Sequence, residues 1–312
     1  MSSISFVTVT VPATTANLGP GFDCIGVALT LYNQFKFTRL SADTPLEEER
    51  ALRIAVKGVD AKRIRTDSSN LVYQTFVKFY EYIGQAPPPV QIEIELEIPQ
   101  ARGLGSSATA IAAGLVAANL LAGSPLTQKQ LIQQAIAIEG HPDNIVPAFL
   151  GGCRLAASIS TDWEICDIPW HADIVPVLAI PDFELATAES RRVLPAEYTR
   201  ADAIFNIAHL GLLVRGIETG RGDWLRAAMQ DRIHQPYRQV LIPGYEAVRA
   251  AALSAGAWEM AISGAGPSLL ALAPAASAAA VVTAMTEAWK EYGISSQVRS
   301  LSIDTQGTRC LS

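Results

Sequence analysis

A glycine- and serine-rich run carries the clearest chemistry in this sequence. It comprises Pro99, Gln100, Ala101, Arg102, Gly103, Leu104, Gly105, Ser106, Ser107, Ala108 and Thr109. Free N–H groups at the start of a following helix, together with the helix dipole, favour a bound anion, and glycines let the backbone come close to it. The run therefore predicts a phosphate-binding loop. It is not the Walker pattern, because no lysine follows the second glycine.

The segments on either side of this loop support that interpretation. Residues 90–98 alternate strictly between apolar and polar side chains, which predicts a half-buried strand. Residues 108–122 are rich in alanine and leucine and carry no charge, which predicts a buried helix that stops at Gly123. The order of strand, loop and helix places the loop amides at a helix N-terminus.

A second group of chemically capable residues follows a predicted helix that opens with a capping box at Thr127 and Gln130. Two acids, one histidine and one asparagine occur within six positions at its end: Glu139, His141, Asp143 and Asn144. No second histidine or cysteine stands at ligand spacing, which argues against zinc. A carboxylate such as Glu139 suits Mg²⁺. A solvated helix-end acid and a histidine that meets the helix dipole remain the alternatives.

A third group lies in the turn-rich residues 12–23, which cannot be helix or strand throughout. This loop carries Asn17 and Asp23, which serve either as structural Asx-turns or as ligands. A carboxylate such as Asp23 is what an ammonium group requires. The remaining candidates are two arginine segments, around Arg191 and Arg238, and a tight turn at residues 263–268.

Composition bounds the class of protein. Of the 312 residues, 49% are hydrophobic and 17% are charged, which is typical of a soluble globular chain. The net charge of -6 argues against a nucleic-acid face. Residues 1–11 lack the features of a signal peptide, and the apolar helix is too short to span a bilayer. We expect a cytoplasmic protein with reduced thiols, because its cysteines are scattered: Cys24, Cys153, Cys166 and Cys310.

The string Pro-x-x-x-Gly-Leu-Gly-Ser-Ser-Ala, at residues 99–108, resembles the phosphate loop of the GHMP kinases. Residues 12–23, the Gly-His-x-Asp-Asn string, the two arginine segments and the turn at 263–268 are similar, within that family, to the members that phosphorylate L-homoserine. The resemblance spans nearly the whole chain. It implies that ATP binds on residues 99–109 and that Mg²⁺ lies on Ser107 and Glu139.

The same resemblance implies roles for individual residues. It places the substrate on Asn17, Asp23, His141, Thr187, Arg191, Arg238 and Gly264. It places Asn144 and Arg191 nearest the reacting hydroxyl, in a reaction that works without a carboxylate base, and Asp143 as a base is the alternative. We interpret Arg192 and His234 as surface residues.

The resemblance also implies an α+β fold of two domains. The N-terminal domain, residues 1–165, would resemble domain 2 of ribosomal protein S5 and carry the phosphate loop. The C-terminal domain, residues 166–312, would complete the substrate site. From residue 174 onward the elements read strand, helices, strand, strand, helix, strand, which predicts a ferredoxin-like split βαβ unit. The boundary follows from a predicted linker at residues 163–173. Other local expectations are a polar insertion at residues 41–50, a helix that is capped by Asp67 or Ser68 and buries an aromatic stripe, and a helix over residues 222–235.

The resulting hypothesis is ATP-dependent phosphorylation of the L-homoserine side-chain hydroxyl, on the route to threonine. Its partners would be ATP and L-homoserine, with neither nucleic acid nor membrane, and a homodimer is one option for its assembly. Two alternatives stay open. One is a kinase of another small alcohol, and the other is a nucleotide-binding regulator that keeps the fold without catalysis.

Overall fold

The structure, a computed structural model, describes residues 5–40, 52–160 and 162–311. The polar insertion predicted at residues 41–50 lies outside these ranges. Within them the four cysteines are free thiols. No helix in the described ranges is long and apolar enough to cross a membrane.

The described residues form eleven strands in two sheets. The strands are β1 Phe6–Asn17, β2 Gly21–Arg39, β3 Leu52–Gly58, β4 Val90–Leu96, β5 Cys153–Ile159, β6 Asp162–Ile168, β7 Ile174–Pro181, β8 Glu259–Ile262, β9 Leu269–Pro274, β10 Ser296–Ser300 and β11 Arg309–Leu311. The larger sheet has the order β11-β1-β2-β4-β3, with β5 paired to β2 and β6 paired to β5. The smaller sheet has the order β10-β7-β9-β8.

Ten α-helices accompany these strands in the described ranges. They are α1 Leu71–Tyr82, α2 Ser106–Leu121, α3 Gln128–Glu139, α4 Pro142–Leu150, α5 Thr187–Arg192, α6 Arg200–Thr219, α7 Gly222–Ala228, α8 Gln235–Arg238, α9 Tyr245–Ser254 and α10 Ala278–Glu291. Helix α2 is the charge-free helix expected after the phosphate loop, and most of its residues are buried. Helix α3 begins with the predicted capping box at Thr127 and Gln130.

One core lies between the larger sheet and helices α1 to α4. The alternation in β4 is realised fully, since Val90, Ile92, Ile94 and Leu96 are buried and the residues between them are half-buried. The aromatic stripe of α1 packs into this core, where Phe76 stacks on Phe37 of β2 with ring centroids 5.7 Å apart. This stripe is structural, as its helical spacing predicts.

The smaller sheet is the predicted split βαβ unit. Its strands are antiparallel, and in spatial order they are the fourth, first, third and second along the chain. Helices α9 and α10 cover one face with their apolar side chains. The other face packs on β2, α6 and α7, and this contact forms the core between the two sheets.

Two local predictions were wrong. Helix α1 is capped by Asn70, whose side chain accepts from the N–H groups of Val72 and Tyr73, and not by Asp67 or Ser68. Residues 162–168 form β6, where a linker was expected, because β5 offers them an antiparallel partner. The prediction that residues 12–23 are not strand throughout is confirmed: they form the tip of the β1–β2 hairpin, where a turn at residues 18–20 separates the end of β1 at Asn17 from β2.

The domain boundary near residue 165 stays a prediction. Strand β6 runs through that position, and β11 returns from the C-terminal end of the chain to pair with β1.

Asn33 joins three elements that position the phosphate loop. Its side chain is fully buried in β2. The Oδ1 atom accepts from the N–H groups of Glu97 and Ile98, both at 3.0 Å, where β4 ends. Its Nδ2 atom donates to Oγ1 of Thr109 in α2 at 3.1 Å. Asn33 therefore connects the end of β4 to helix α2, the two elements on either side of the phosphate loop.

We expect Asn33→Ala to lower the free energy of unfolding by about 2 kcal/mol or more, because the buried N–H group of Ile98 and the part-buried one of Glu97 lose their acceptor. Urea denaturation monitored by circular dichroism measures this change. Thr283→Ala, on the exposed side of α10, is the control and should change stability by less than about 0.5 kcal/mol. An Asn33→Ala protein as stable as this control would contradict the assignment.

Candidate active site

The three predicted groups of residues meet in one cavity of about 80 Å³ between the hairpin tip, the phosphate loop, the start of α4 and the turn at residues 263–268. The residues interpreted as substrate-binding or catalytic all line it: Asn17, Asp23, His141, Asn144, Thr187, Arg191, Arg238 and Gly264. The predicted metal ligands Ser107 and Glu139 line it as well. Segments far apart in the chain thus share a single site.

The predicted loop residues divide among different surroundings. Those that line the cavity are Ala101, Gly103, Leu104, Gly105, Ser106 and Ser107. Gln100 and Thr109 face a neighbouring cavity, whereas Ala108 is fully buried in the core. Pro99 and Arg102 lie on another side of the loop. The Arg102 guanidinium donates to the carbonyls of Gln100, Pro181 and Asp182, so it binds the loop to the end of β7.

Both loop glycines are required by close packing. Gly103 and Gly105 have positive φ values of 69° and 67°. A Cβ atom on Gly103 would lie 2.1 Å from the carbonyl oxygen of Ser263, and one on Gly105 would lie 2.0 Å from Oγ1 of Thr14. Helix α2 begins immediately afterwards, at Ser106. The glycines therefore let the loop touch both neighbouring segments while its amides stay at the helix start.

The neighbouring cavity, of about 340 Å³, was not predicted from the sequence. It shares Ala101, Ser106, Ser107 and Thr187 with the first cavity. Its apolar wall comes from β2, α1 and β4, through Phe35, Val72, Ile94 and Leu96. These residues have the periodicity of ordinary core positions, so no pattern marked them as a site. The two cavities therefore adjoin at the phosphate loop, which lines both.

Helix α3 ends beside the loop and delivers Glu139 to it. Gly140 stops the helix with a positive φ of 93°, and His141 precedes α4 in an extended conformation. His141 thus stands before a helix, and the alternative of a histidine on a helix C-terminus was wrong. The Ser107 hydroxyl donates to Oε2 of Glu139 at 2.7 Å. A hydroxyl and a carboxylate therefore meet at the start of α2.

The start of α4 carries a linked set of polar side chains. Nδ1 of His141 lies 2.7 Å from Oδ1 of Asp143, which is buried, and Nδ2 of Asn144 donates to the same oxygen at 3.3 Å. Oγ1 of Thr14, in the hairpin, donates to Oδ1 of Asn144 at 2.7 Å. Thr14 was not singled out from the sequence, although it belongs to the turn-rich string. Its hydrogen bond fixes the orientation of the Asn144 amide.

Asp23 and Arg191 form a bidentate ion pair across the cavity, with nitrogen–oxygen distances of 2.7 and 3.0 Å. Both side chains are about one-third exposed. The Asp23 backbone N–H donates to Oδ1 of Asn17, and Nδ2 of Asn17 donates to the carbonyl of Gly264. The hairpin tip thus holds a carboxylate opposite a guanidinium that comes from α5.

Arg238 is almost fully buried at the back of the cavity. Its Nε atom donates to the carbonyl of Ser190 at 3.2 Å, and its Nη1 atom donates to that of Gly264 at 3.1 Å. Burial and the nearby Arg191 lower the pKa of Arg238 to about 10. Two nitrogen atoms of the guanidinium thus bind backbone carbonyls. Because Arg238 also lines the cavity, its positive charge is available to an anionic group there.

Of the two residues predicted to lie on the surface, Arg192 and His234, the structure places only one there. Arg192 is exposed, as predicted. His234 is fully buried, and the prediction of a surface position was wrong. The helix expected over residues 222–235 ends at Ala228, and the chain then turns His234 toward the hairpin tip.

Comparisons with known proteins agree with this architecture. Residues 70–152 match the family model described as the GHMP kinases N terminal domain, and residues 213–291 match that of the GHMP kinases C terminal. The chain belongs to the GHMP kinase family, and the predicted two-domain fold of that family is confirmed.

Similar relatives over nearly the whole chain carry one particular name within that family. A homoserine kinase from Trichormus variabilis is 67% identical over 307 residues, which cover 98% of this chain and 99% of the relative. Another, from Thermosynechococcus vestitus, is 54% identical over 96% of this chain and 97% of the relative. The crystal structure of a homoserine kinase from Cytophaga hutchinsonii superposes with a TM-score of 0.88 at 30% identity, covering 100% of this chain and 99% of that one.

The pKa of His141 reports on its pairing with Asp143. Burial by itself would lower this pKa, but the hydrogen bond and charge of Asp143, helped by Glu139 and Asp23, raise it above the ordinary value of 6.5. Because the pKa of His141 is higher in the folded state than in the unfolded state, the full stabilising contribution of the pair is present below the unfolded-state pKa. Its contribution is lost as pH rises through the folded-state pKa.

We expect Asp143→Asn to lower the pKa of His141, because burial remains while the main opposing interaction is gone. An NMR titration of the imidazole resonances measures this change. Asp173→Asn, at an exposed residue outside the cavity, is the matched control and should leave the pKa of His141 at its wild-type value. A His141 pKa that does not move in the variant would show that Asp143 is not its partner.

Proposed function

We propose that this chain transfers the γ-phosphoryl group of ATP to the side-chain hydroxyl of L-homoserine and so forms O-phospho-L-homoserine. The observation that carries the proposal is the cavity in which Asp23, Arg191 and Arg238 lie beside the phosphate loop. That set of charges complements an amino acid, and the chain is 54–67% identical to relatives that are named homoserine kinases.

ATP would lie across both cavities. Its phosphates would meet the loop amides between Gly103 and Ala108 at the N-terminus of α2, where the helix dipole favours negative charge. Its nucleoside would occupy the neighbouring cavity, which has both apolar and polar lining residues and adjoins the loop through Ser106 and Ser107. The reacting phosphate would then point into the smaller, charged cavity.

Ser107 and Glu139 fit a magnesium site. Their oxygen atoms lie 2.7 Å apart at the loop, and oxygen donors of this type are the ones that Mg²⁺ prefers. When bound, Mg²⁺ neutralises charge on the β- and γ-phosphates, which is the main requirement of phosphoryl transfer. The chain's own contribution is to hold the two oxygens at the helix start.

L-Homoserine would replace the ion pair between Asp23 and Arg191 with two new ion pairs, one at each of its charged groups. Its ammonium group would bind Asp23, and Arg191 and Arg238 would hold its carboxylate. Asn17 would share the ammonium group, while His141, Thr187 and Gly264 would orient the rest of the molecule. Because Asp23 and Arg191 already face each other, a zwitterion pairs with both and leaves neither charge without a partner.

Asn144 and Arg191 would lie nearest the reacting hydroxyl. Thr14 orients the Asn144 amide, and Arg191 supplies positive charge as the transferred group passes. The Asp143 carboxylate already pairs with His141 and accepts from Asn144, and these contacts disfavour it as a base. We therefore propose a reaction driven by positioning and charge stabilisation.

We expect L-homoserine to be the acceptor in a coupled assay of ADP release that also includes mevalonate, shikimate and galactose. The paired acid and guanidinium favour a zwitterion over alcohols that lack one of these charges. Preference for another alcohol would contradict the substrate. ATP binding without ADP release from any of them would favour a non-catalytic regulator.

Glu139→Gln should reduce kcat by roughly 10²-fold or more, because a neutral amide keeps the shape and loses the charge that the metal requires. Steady-state rates at limiting Mg²⁺ measure this loss. Glu291→Gln, at the exposed end of α10, is the matched control and should retain wild-type turnover. Near-native turnover of Glu139→Gln at limiting Mg²⁺ would remove Glu139 from the metal site.

A further inference from the structure

His234 lies behind the active-site cavity and is connected to both halves of it. Its imidazole is fully buried and does not line the cavity. Nε2 is 2.8 Å from the carbonyl oxygen of Gly19, in the hairpin tip that carries Asn17 and Asp23. Nδ1 is 3.3 Å from Nη1 of Arg238. One ring thus bridges the hairpin tip and the buried arginine.

These two contacts determine the protonation state of the ring. A carbonyl oxygen only accepts, so Nε2 must carry hydrogen, and a guanidinium only donates, so Nδ1 must offer its lone pair. Only the neutral Nε2–H tautomer satisfies both partners. The pKa of His234 is lowered, which also favours the neutral ring. Burial is the main cause and the charge of Arg238 adds to it, whereas the charges of Asp231 and Asp23 oppose it.

The surroundings hold this ring rigidly. Asp231, which is fully buried, accepts from the backbone N–H groups of His234 and Gln235 at 2.8 and 2.6 Å. The ring of Phe22 stacks on the imidazole with centroids 5.1 Å apart. The guanidinium of Arg238 lies 5.0 Å from the same Phe22 ring. The buried carboxylate of Asp231 thus fixes the backbone at His234. The ring of His234 in turn contacts Arg238 and Phe22, the residue before Asp23.

We propose that His234 is a positioning residue, which as a neutral Nε2–H imidazole sets the Arg238 guanidinium relative to the hairpin tip. This inference rests on the proposed function in one respect, namely that Arg238 receives the carboxylate of the substrate. Without the Nδ1 acceptor, the guanidinium keeps its bonds to Ser190 and Gly264 but loses the contact that fixes it against the hairpin. Small displacements of such groups are costly to binding.

Two nearly isosteric variants separate the two bonds of the ring. In His234→Gln, the amide nitrogen can replace Nε2 and donate to Gly19, but nothing replaces the acceptor at Nδ1. In His234→Asn, the amide oxygen can replace Nδ1 and accept from Arg238, whereas the bond to Gly19 is lost. A positioning role through Arg238 therefore predicts that His234→Gln weakens homoserine binding, whereas His234→Asn lowers stability and leaves binding nearly unchanged.

We expect His234→Gln to raise the KM for L-homoserine about tenfold, the effect of one charge-assisted hydrogen bond, and to leave the KM for ATP within about twofold. His234→Asn should keep the homoserine KM within about threefold of wild type, although its Tm falls. Equal increases in the homoserine KM for both variants, or an unchanged KM in His234→Gln, would overturn the proposal.

Gln235→Met is the matched control. Gln235 is buried directly after His234, at the start of α8. Its side chain accepts from the N–H of Ile262 and donates to the carbonyl of Met229, without a hydrogen bond to Arg238. Its loss should lower Tm while the homoserine KM stays at the wild-type value. A KM increase equal to that of His234→Gln would mean that any damage to this helix suffices, which contradicts a specific role.

A measurement without turnover separates this inference from the proposed substrate. The ¹⁵N shifts of the imidazole distinguish its tautomers in the wild-type protein, and we expect the Nε2–H form at neutral pH. An Nδ1–H or charged ring would overturn the proposal even if the enzyme phosphorylates homoserine. Conversely, a failure of the proposed function would appear in the ADP-release assay and leave this tautomer unchanged.

Discussion

Close contact among three backbone segments, with glycine where a side chain would not fit, is the constraint on which the site depends. The N–H of Gly264 donates to the carbonyl of Ala16 in the hairpin. The hydroxyl of Ser263 lies within hydrogen-bond distance of Oγ1 of Thr15 and of the carbonyl of Gly103 in the phosphate loop. A Cβ atom at Gly103 would collide with this turn. Hairpin, loop and turn therefore form one rigid unit.

This unit also joins the two sheets of the molecule. The hairpin and the loop belong to the larger sheet and α2, whereas the turn connects β8 and β9 of the smaller one. Arg102 adds a second connection, since its guanidinium binds the end of β7. The larger sheet and its helices thus contribute the loop, Asn17 and Asp23 to the cavity, whereas Arg191, Arg238 and Gly264 come from the chain around the smaller sheet. Direct backbone contact sets the relative position of the two groups.

Charge in the cavity is arranged locally and does not follow from the acidic balance of the chain. The net charge is -6, yet the cavity places two guanidinium groups beside the N-terminus of α2. Asp23 balances Arg191 directly, and Arg238 is held by carbonyls and by the neutral ring of His234. Burial of charge is tolerated because each buried group has polar partners.

Sequence by itself determined the features that depend on neighbours along the chain. The alternation of β4, the glycine loop, the uncharged helix α2 and the capping box of α3 are local patterns with local causes. The motif resemblance added the family and the residues that line the cavity. Tertiary structure alone decided the second cavity, the ion pair of Asp23 with Arg191 and the burial of His234. These depend on contacts between residues 168 to 215 positions apart, as for Asp23 with Arg191 and Gly19 with His234, and no local periodicity records such contacts.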